Sequence, residues 1–176
     1  MSIAHLFSAV VLGCAYVLAS TAGAAADLDK SDAEFMQKAA LSGMMEIEAS
    51  QLAKSAAQSP NVKAYAEQMI RDHTAVAKLQ NELALQKDIV LPKTLSPDVT
   101  ARIDQLRDLQ GEAFDRTYIQ QFGVAAHEEA VGLFEYASRS SVDVDIKAFA
   151  AQTLPALRGH LQMAQTLQEQ LLKDGK

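Results

Sequence analysis

One pattern dominates the chain: small or apolar side chains return every three or four residues, over stretches far longer than any β-strand. Phe35, Ala39, Ser42, Glu46, Ala49, Ala53 and Ala56 form one such series, and Val62, Ala66, Met69, His73, Val76, Gln80 and Leu83 form a second. A third runs through Ile146, Ala150, Thr153, Leu157, His160, Ala164, Leu167 and Leu171. A helical period held this long turns one stripe of each segment toward a common core and leaves no sequence for a sheet. The fold class is therefore all-α.

Start and stop signals divide the pattern into segments. Ser31-Asp32-Ala33-Glu34 reads as a capping box and opens a first helix expected over 32–58. Ser59-Pro60 then offers an N-cap and a proline at the first helical position, so a second helix over 60–87 follows at once and must fold back antiparallel. The stretch from Val90 to Leu95 contains Pro92 and reads as extended linker, after which Ser96-Pro97 opens a short helix ending near Leu109. Gly111 separates this from a long helix over 112–139, with Asp115 early in it where the helix dipole favours acid. A turn over Ser140 to Asp145 leads into a last helix reaching about Lys173. Pro155 lies inside it and deletes one hydrogen bond, which either simply curves the axis or aims His160.

The two halves resemble each other. Val62-Lys63-Ala64-Tyr65-Ala66-Glu67-Gln68 recurs as Ile146-Lys147-Ala148-Phe149-Ala150-Ala151-Gln152. Glu46 to Leu52 matches His127 to Leu133 at nearly the same offset, the small difference being a longer second turn. Two related antiparallel hairpins joined by a long crossover are the build of a ferritin-like four-helix bundle, here with a short extra helix in the crossover.

The segment Met1 to Ala26 carries none of the chain's Asp, Glu, Lys or Arg side chains. Within it, Leu6 to Ala19 is an apolar run too short to span a bilayer, and Ala24-Ala25-Ala26 ends in an A-x-A pattern before Asp27. Residues 1–26 are expected to be a signal peptide and 27–176 a single helical domain of the periplasm. The n-region lacks Lys and Arg, and Val11-Leu12-Gly13-Cys14 offers the alternative of a lipoprotein anchored through Cys14. Since Cys14 is the sole cysteine, residues 27–176 support neither disulfides nor thiol catalysis. A net charge of −6 without a basic cluster argues against nucleic acid and anionic membrane surfaces as partners. Protein partners and oligomeric state are left open.

The remaining histidines are the chemistry-bearing feature. His73, His127 and His160 each lie near the middle of a different long helix, and Glu46 near the middle of the first. In a bundle of helices of similar length, mid-helix residues share one level, so these four groups are expected to meet at the midplane. The stripes place His73 and His160 inward. His127 belongs with Val124, Val131 and Phe134, in competition with a stripe of Phe122, Ala126, Glu129 and Leu133. Burying Glu46 is costly unless it is paired, and a divalent cation would satisfy all four groups. A purely structural hydrogen-bond network would do the same.

A di-iron centre needs Glu-x-x-His on two helices, whereas Ile70 stands three before His73 and Leu157 three before His160. A mononuclear, imidazole-rich site for one ion of zinc, copper or iron, with Glu46, His73, His127 and His160 as ligands, is the surviving form. Met36, Met44, Met45, Met69 and Met163 read as core filler rather than copper ligands. Asp72 and Arg158 read first as parts of a solvated face, with ion pairs around the site as the alternative, and no glycine-rich loop or nucleophile elbow is present.

Taken together, Asp32-x-x-Phe35, Ala39-Ala40, Glu46, Leu52-Ala53, Val62-Lys63-x-Tyr65-Ala66, Met69-x-x-Asp72-His73, Phe114-Asp115-x-x-Tyr118, His127 and Leu154-Pro155-x-x-x-x-His160 resemble a bacterial exported family catalogued as domain of unknown function 4142 and placed among ferritin-like folds. The resemblance covers about 33 to 170. It implies a periplasmic four-helix bundle and brings no reaction, cofactor or partner. Some relatives are described as outer-membrane proteins, yet no apolar run here is long enough to cross a bilayer as a helix and no strand series appears. The expected function is a non-enzymatic envelope protein that binds or buffers a transition metal. The alternative is an interaction module whose interior polar groups fix helix register. An oxidase or peroxidase is third, disfavoured by the missing Glu-x-x-His pairs.

Overall fold

The computed structural model describes residues 29–174, which are all helical with short connections. The expected signal segment, its cleavage site and Cys14 lie outside the described residues. In order, the elements are α1 (Lys30–Ala56), α2 (Pro60–Gln86), α3 (Pro97–Arg107), α4 (Gly111–Tyr118), a π-helical segment (Ile119–Ala125), α5 (Ala126–Ser140) and α6 (Val144–Asp174). Among the described residues no helix is long and apolar enough to cross a membrane.

Two apolar clusters define the packing. One gathers Ala49 and Ala53 of α1, Val62 and Ala66 of α2, Phe114 and Tyr118 of α4, Phe122, and Ala164 and Leu171 of α6. The other gathers Phe35 and Ala39 of α1, Ala84 of α2, Phe134 and Ala137 of α5, and Ile146 and Ala150 of α6. The end of α1 thus lies with the start of α2, and the start of α4 with the end of α6, so each pair runs antiparallel. At the second end Phe35, Phe134 and Phe149 pack as a trio, with Phe35 edge-on to Phe134 at 5.1 Å between centroids.

Capping differs from the sequence reading at the first helix. Asp29, not Ser31, is the N-cap, its carboxylate accepting from the Ser31 amide at 2.7 Å. That frees Asp32, which is buried and accepts from the amides of Val142 and Asp143 in the α5–α6 turn, at 3.1 and 2.8 Å. Asp115 does the reciprocal service: buried in α4, it accepts from the amides of Gln58 and Ser59 in the α1–α2 turn at 3.0 and 2.7 Å. Ser59 caps α2 by backbone position alone, without a side-chain bond. Each hairpin thus begins with a buried aspartate that closes the turn of the other. Asp32 and Asp115 also occupy nearly equivalent places in the two halves of the repeat.

The long helix expected over 112–139 is interrupted. Ile119–Ala125 forms a π-helical turn between α4 and α5. A π turn takes an extra residue per turn and rotates everything after it relative to what came before. That rotation resolves the two competing stripes: Phe122 and Ala126 of one and His127 and Phe134 of the other are all buried, while Glu129 is exposed. Gly123 sits where this segment meets α6, and a Cβ there would lie 3.0 Å from Ala164 Cβ. So close an approach favours glycine. Helix α6 runs unbroken through Pro155, which is exposed.

Candidate metal centre

His73, His127 and His160 lie between the two apolar clusters, each flanked along its own helix by members of one or both. Met69 precedes His73 on the first side, and Ala126 and Ala130 bracket His127. Leu157 and Ala164 bracket His160. All three rings are buried, and one nitrogen from each lies within 4.8 Å of the other two. Ring centroids are 5.4 to 5.5 Å apart in all three pairs.

The outer nitrogens fix the tautomers. His127 Nδ1 lies 2.9 Å from the carbonyl oxygen of Gly123. A carbonyl only accepts, so Nδ1 carries the proton and Nε2 presents a lone pair. His160 Nε2 lies 2.9 Å from Asp72 Oδ2 and donates to the carboxylate, so in the neutral imidazole Nδ1 is the lone-pair nitrogen. That Nδ1 is buried and has no hydrogen-bond partner among the described residues. His73 Nε2 and His127 Nε2 approach to 3.4 Å. Two nitrogens bound tetrahedrally at about 2.0–2.1 Å from one Zn²⁺ would stand roughly 3.3 Å apart.

Burial lowers the basicity of His73 and His127, and the neighbouring imidazoles lower it further. Their pKa values fall to about 3 and about 4 respectively. For His127 the Gly123 carbonyl acts in the opposite sense without overcoming desolvation. Both rings are therefore neutral at physiological pH, the state in which an imidazole ligates without first losing a proton.

Glu46 is not brought into this cluster. Its Oε1 stands 4.0 Å from His127 Nδ1, the side of the ring that donates to Gly123, and so on the face turned away from the other histidines. On α1 it is flanked by Met45 and Ala49, both of the first apolar cluster. Glu46 is 2 % exposed, and among the described residues neither carboxyl oxygen has a hydrogen-bond partner. Desolvation holds its pKa well above the ordinary carboxyl range, with only weak opposition from the Arg102 guanidinium. Glu46 also helps raise the pKa of the Tyr65 and Tyr118 phenols, mainly pushed up by their own burial. Tyr118 finds Ser50 at 2.9 Å, whereas the Tyr65 hydroxyl has no partner among the described residues.

Asp72, adjacent in sequence to His73, serves the histidine of another helix; only the tertiary pairing of α2 with α6 reveals this. Arg158 pairs outward with Glu135 at 2.6 Å and leaves the site alone. Met45 and Met69 are buried in the first apolar cluster and Met36 in the second. The Gly123 carbonyl belongs to the π turn, for which Gly123 itself was the sole sequence cue.

The profile of a family described as a domain of unknown function (DUF4142) matches residues 17–167. No curated protein matches the chain significantly. Among solved structures, the fold is similar to the crystal structure of a DUF305 fragment from Deinococcus radiodurans, with a TM-score of 0.72. The two are 12% identical, and the alignment covers 82% of this chain and 99% of that one. At that identity the likeness concerns the fold alone.

Proposed function

The chain belongs to the DUF4142 family, and we propose that it binds a single transition-metal ion through His73, His127 and His160. The observation that carries this reading is the Nδ1 atom of His160, buried, unpartnered among the described residues and, with Nε2 turned to Asp72, the nitrogen that carries the lone pair of the neutral imidazole. An unpaired buried acceptor costs about 1–3 kcal/mol. A cation held by the three lone pairs removes that cost and makes use of the 3.4 Å approach of His73 to His127. The outer bonds to Asp72 and to the Gly123 carbonyl are of the kind that orient ligating histidines and raise their donor strength. Glu46 in this reading is a buried carboxyl group behind His127 rather than a fourth ligand.

Zinc, copper and iron all suit imidazole nitrogen. The architecture is proposed to be a ferritin-like four-helix bundle of two hairpins. On the uncharged leader Met1 to Ala26, the protein is assigned to the periplasm, where it binds or buffers the metal. Residues 27–176 purified from the periplasm are expected to carry close to one equivalent of metal, lost in His73→Ala. Protein that arrives metal-free and takes up neither zinc, copper nor iron would overturn the proposal.

A second reading has its own support. The contact between His73 Nε2 and His127 Nε2 is also a hydrogen bond if His73 donates, so the cluster can serve as a register-fixing network in an interaction module of the envelope. It expects His73→Leu to leave partner binding intact and no metal to be retained.

A further inference from the structure

Beside the histidines lies a cavity of about 130 Å³, bordered at its inner end by His73 and His160. Its wall reaches exposed Asn81 and Ala156, so it connects the ring cluster with the surface. Three protein ligands leave a tetrahedral ion one position short, the arrangement in which a metal accepts an outside molecule.

The wall discriminates among such molecules. Three of its polar side chains already donate to backbone carbonyls: Gln80 to Met36 at 2.8 Å, Asn81 to Ala77 at 2.8 Å and Thr153 to Phe149 at 2.8 Å. Among the described residues no Lys or Arg lines the cavity. An anionic guest would lose its hydration there with no cationic side chain to replace it, and would face the Asp72 carboxylate in the same wall.

One residue of the wall is unusual for its place. Gly43 lies in the interior of α1, where glycine is a poor helix former, yet beyond its chain neighbours and the adjacent backbone of α1 a Cβ built on it meets no described atom within 4 Å. Space, not crowding, surrounds this glycine, so larger residues would fit α1 but intrude on the cavity.

Resting on the metal reading above, we infer that this cavity is the entry to an open coordination position, and that its ligand is a small uncharged molecule. Binding is reversible coordination. One bond forms between metal and guest, and no electron or proton is transferred.

The test loads the full chain with Fe²⁺ and adds nitric oxide, reading the electron paramagnetic resonance of the adduct. Cu⁺ with carbon monoxide, read by infrared absorption, is the second probe. Metal content is measured on every sample. The wild type is expected to bind either probe, while Gly43→Phe retains its metal and takes up the probe at least tenfold more slowly. Ala77→Leu, at another point of the wall, gives an independent plug should the first fail to fold. Loaded protein that ignores both probes overturns the inference and leaves the metal reading standing. So does unchanged uptake in both plugged variants, or a site that retains zinc but neither Fe²⁺ nor Cu⁺. Protein that binds no metal at all overturns both.

Discussion

At the scale of single residues, the behaviour of the centre follows from which nitrogen holds a proton. His73 and His127 have folded pKa values of about 3 and about 4, below the roughly 6.5 of an unfolded chain. Between these limits the unfolded state binds more protons, so stability is complete above pH 6.5 and is lost as pH falls. Each ring contributes up to about 1.4 kcal/mol per pH unit in that window. Urea midpoints of the metal-free protein are expected to fall steadily from pH 6.5 to pH 4, and His73→Leu should flatten the slope. Asp72→Asn keeps all three imidazoles but removes the carboxylate acceptor at His160, and is expected to weaken metal affinity about 10–100-fold in a competition titration with a chromophoric chelator. The inward direction of His73 and His160 was legible in their stripes, because both sit in uninterrupted helical phase with buried neighbours such as Met69 and Leu157. The azimuth of Glu46 was not. Its level along α1 follows from sequence, but the side of His127 on which it lies depends on how α1 meets the π turn.

At the scale of elements, that π turn has the largest effect on the site. It rotates α5 so that His127 faces the other imidazoles, and it supplies the Gly123 carbonyl that fixes the tautomer. Gly123→Ala would set a Cβ 3.0 Å from that of Ala164, where neither atom can swing away. The substitution is expected to destabilise the fold by about 1–3 kcal/mol in urea unfolding and to be relieved by Ala164→Gly. A single helical period cannot describe a segment that changes phase midway. For that reason two stripes competed over 112–139, while the boundaries of α2, read as 60–87, came within a residue of Pro60–Gln86. The N-terminal cap moved from Ser31 to Asp29 for a comparable reason. Asp32 is committed to the α5–α6 turn, a partner far away in the sequence.

At the scale of the whole molecule, the histidine layer separates two apolar clusters, and an ion held there joins segments from both hairpins at once. A ligand that binds only the folded state stabilises it by about 4 kcal/mol at a thousandfold excess over its dissociation constant. Metal-loaded protein is therefore expected to melt well above the chelated form, and the His160→Ala variant to lose that difference. The all-helical fold and the pairing of its halves were readable because the repeat from Val62 to Ile146 and the breaks at Pro60 and Pro97 are local signals. How the halves grip each other was not, since Asp32 and Asp115 look like ordinary first-turn acids. Removing either one, as in Asp115→Ala, leaves two backbone amides uncapped and is expected to cost roughly 1.5–3 kcal/mol in the same unfolding assay. The exchange of aspartates also makes the two halves of the polypeptide mutually dependent. A cut in the exposed stretch around Lys93 and Thr94 would yield two pieces, each holding the carboxylate the other lacks. Mixed in equal amounts they should reassemble into one complex, like a key and lock that each carry half of the other's teeth.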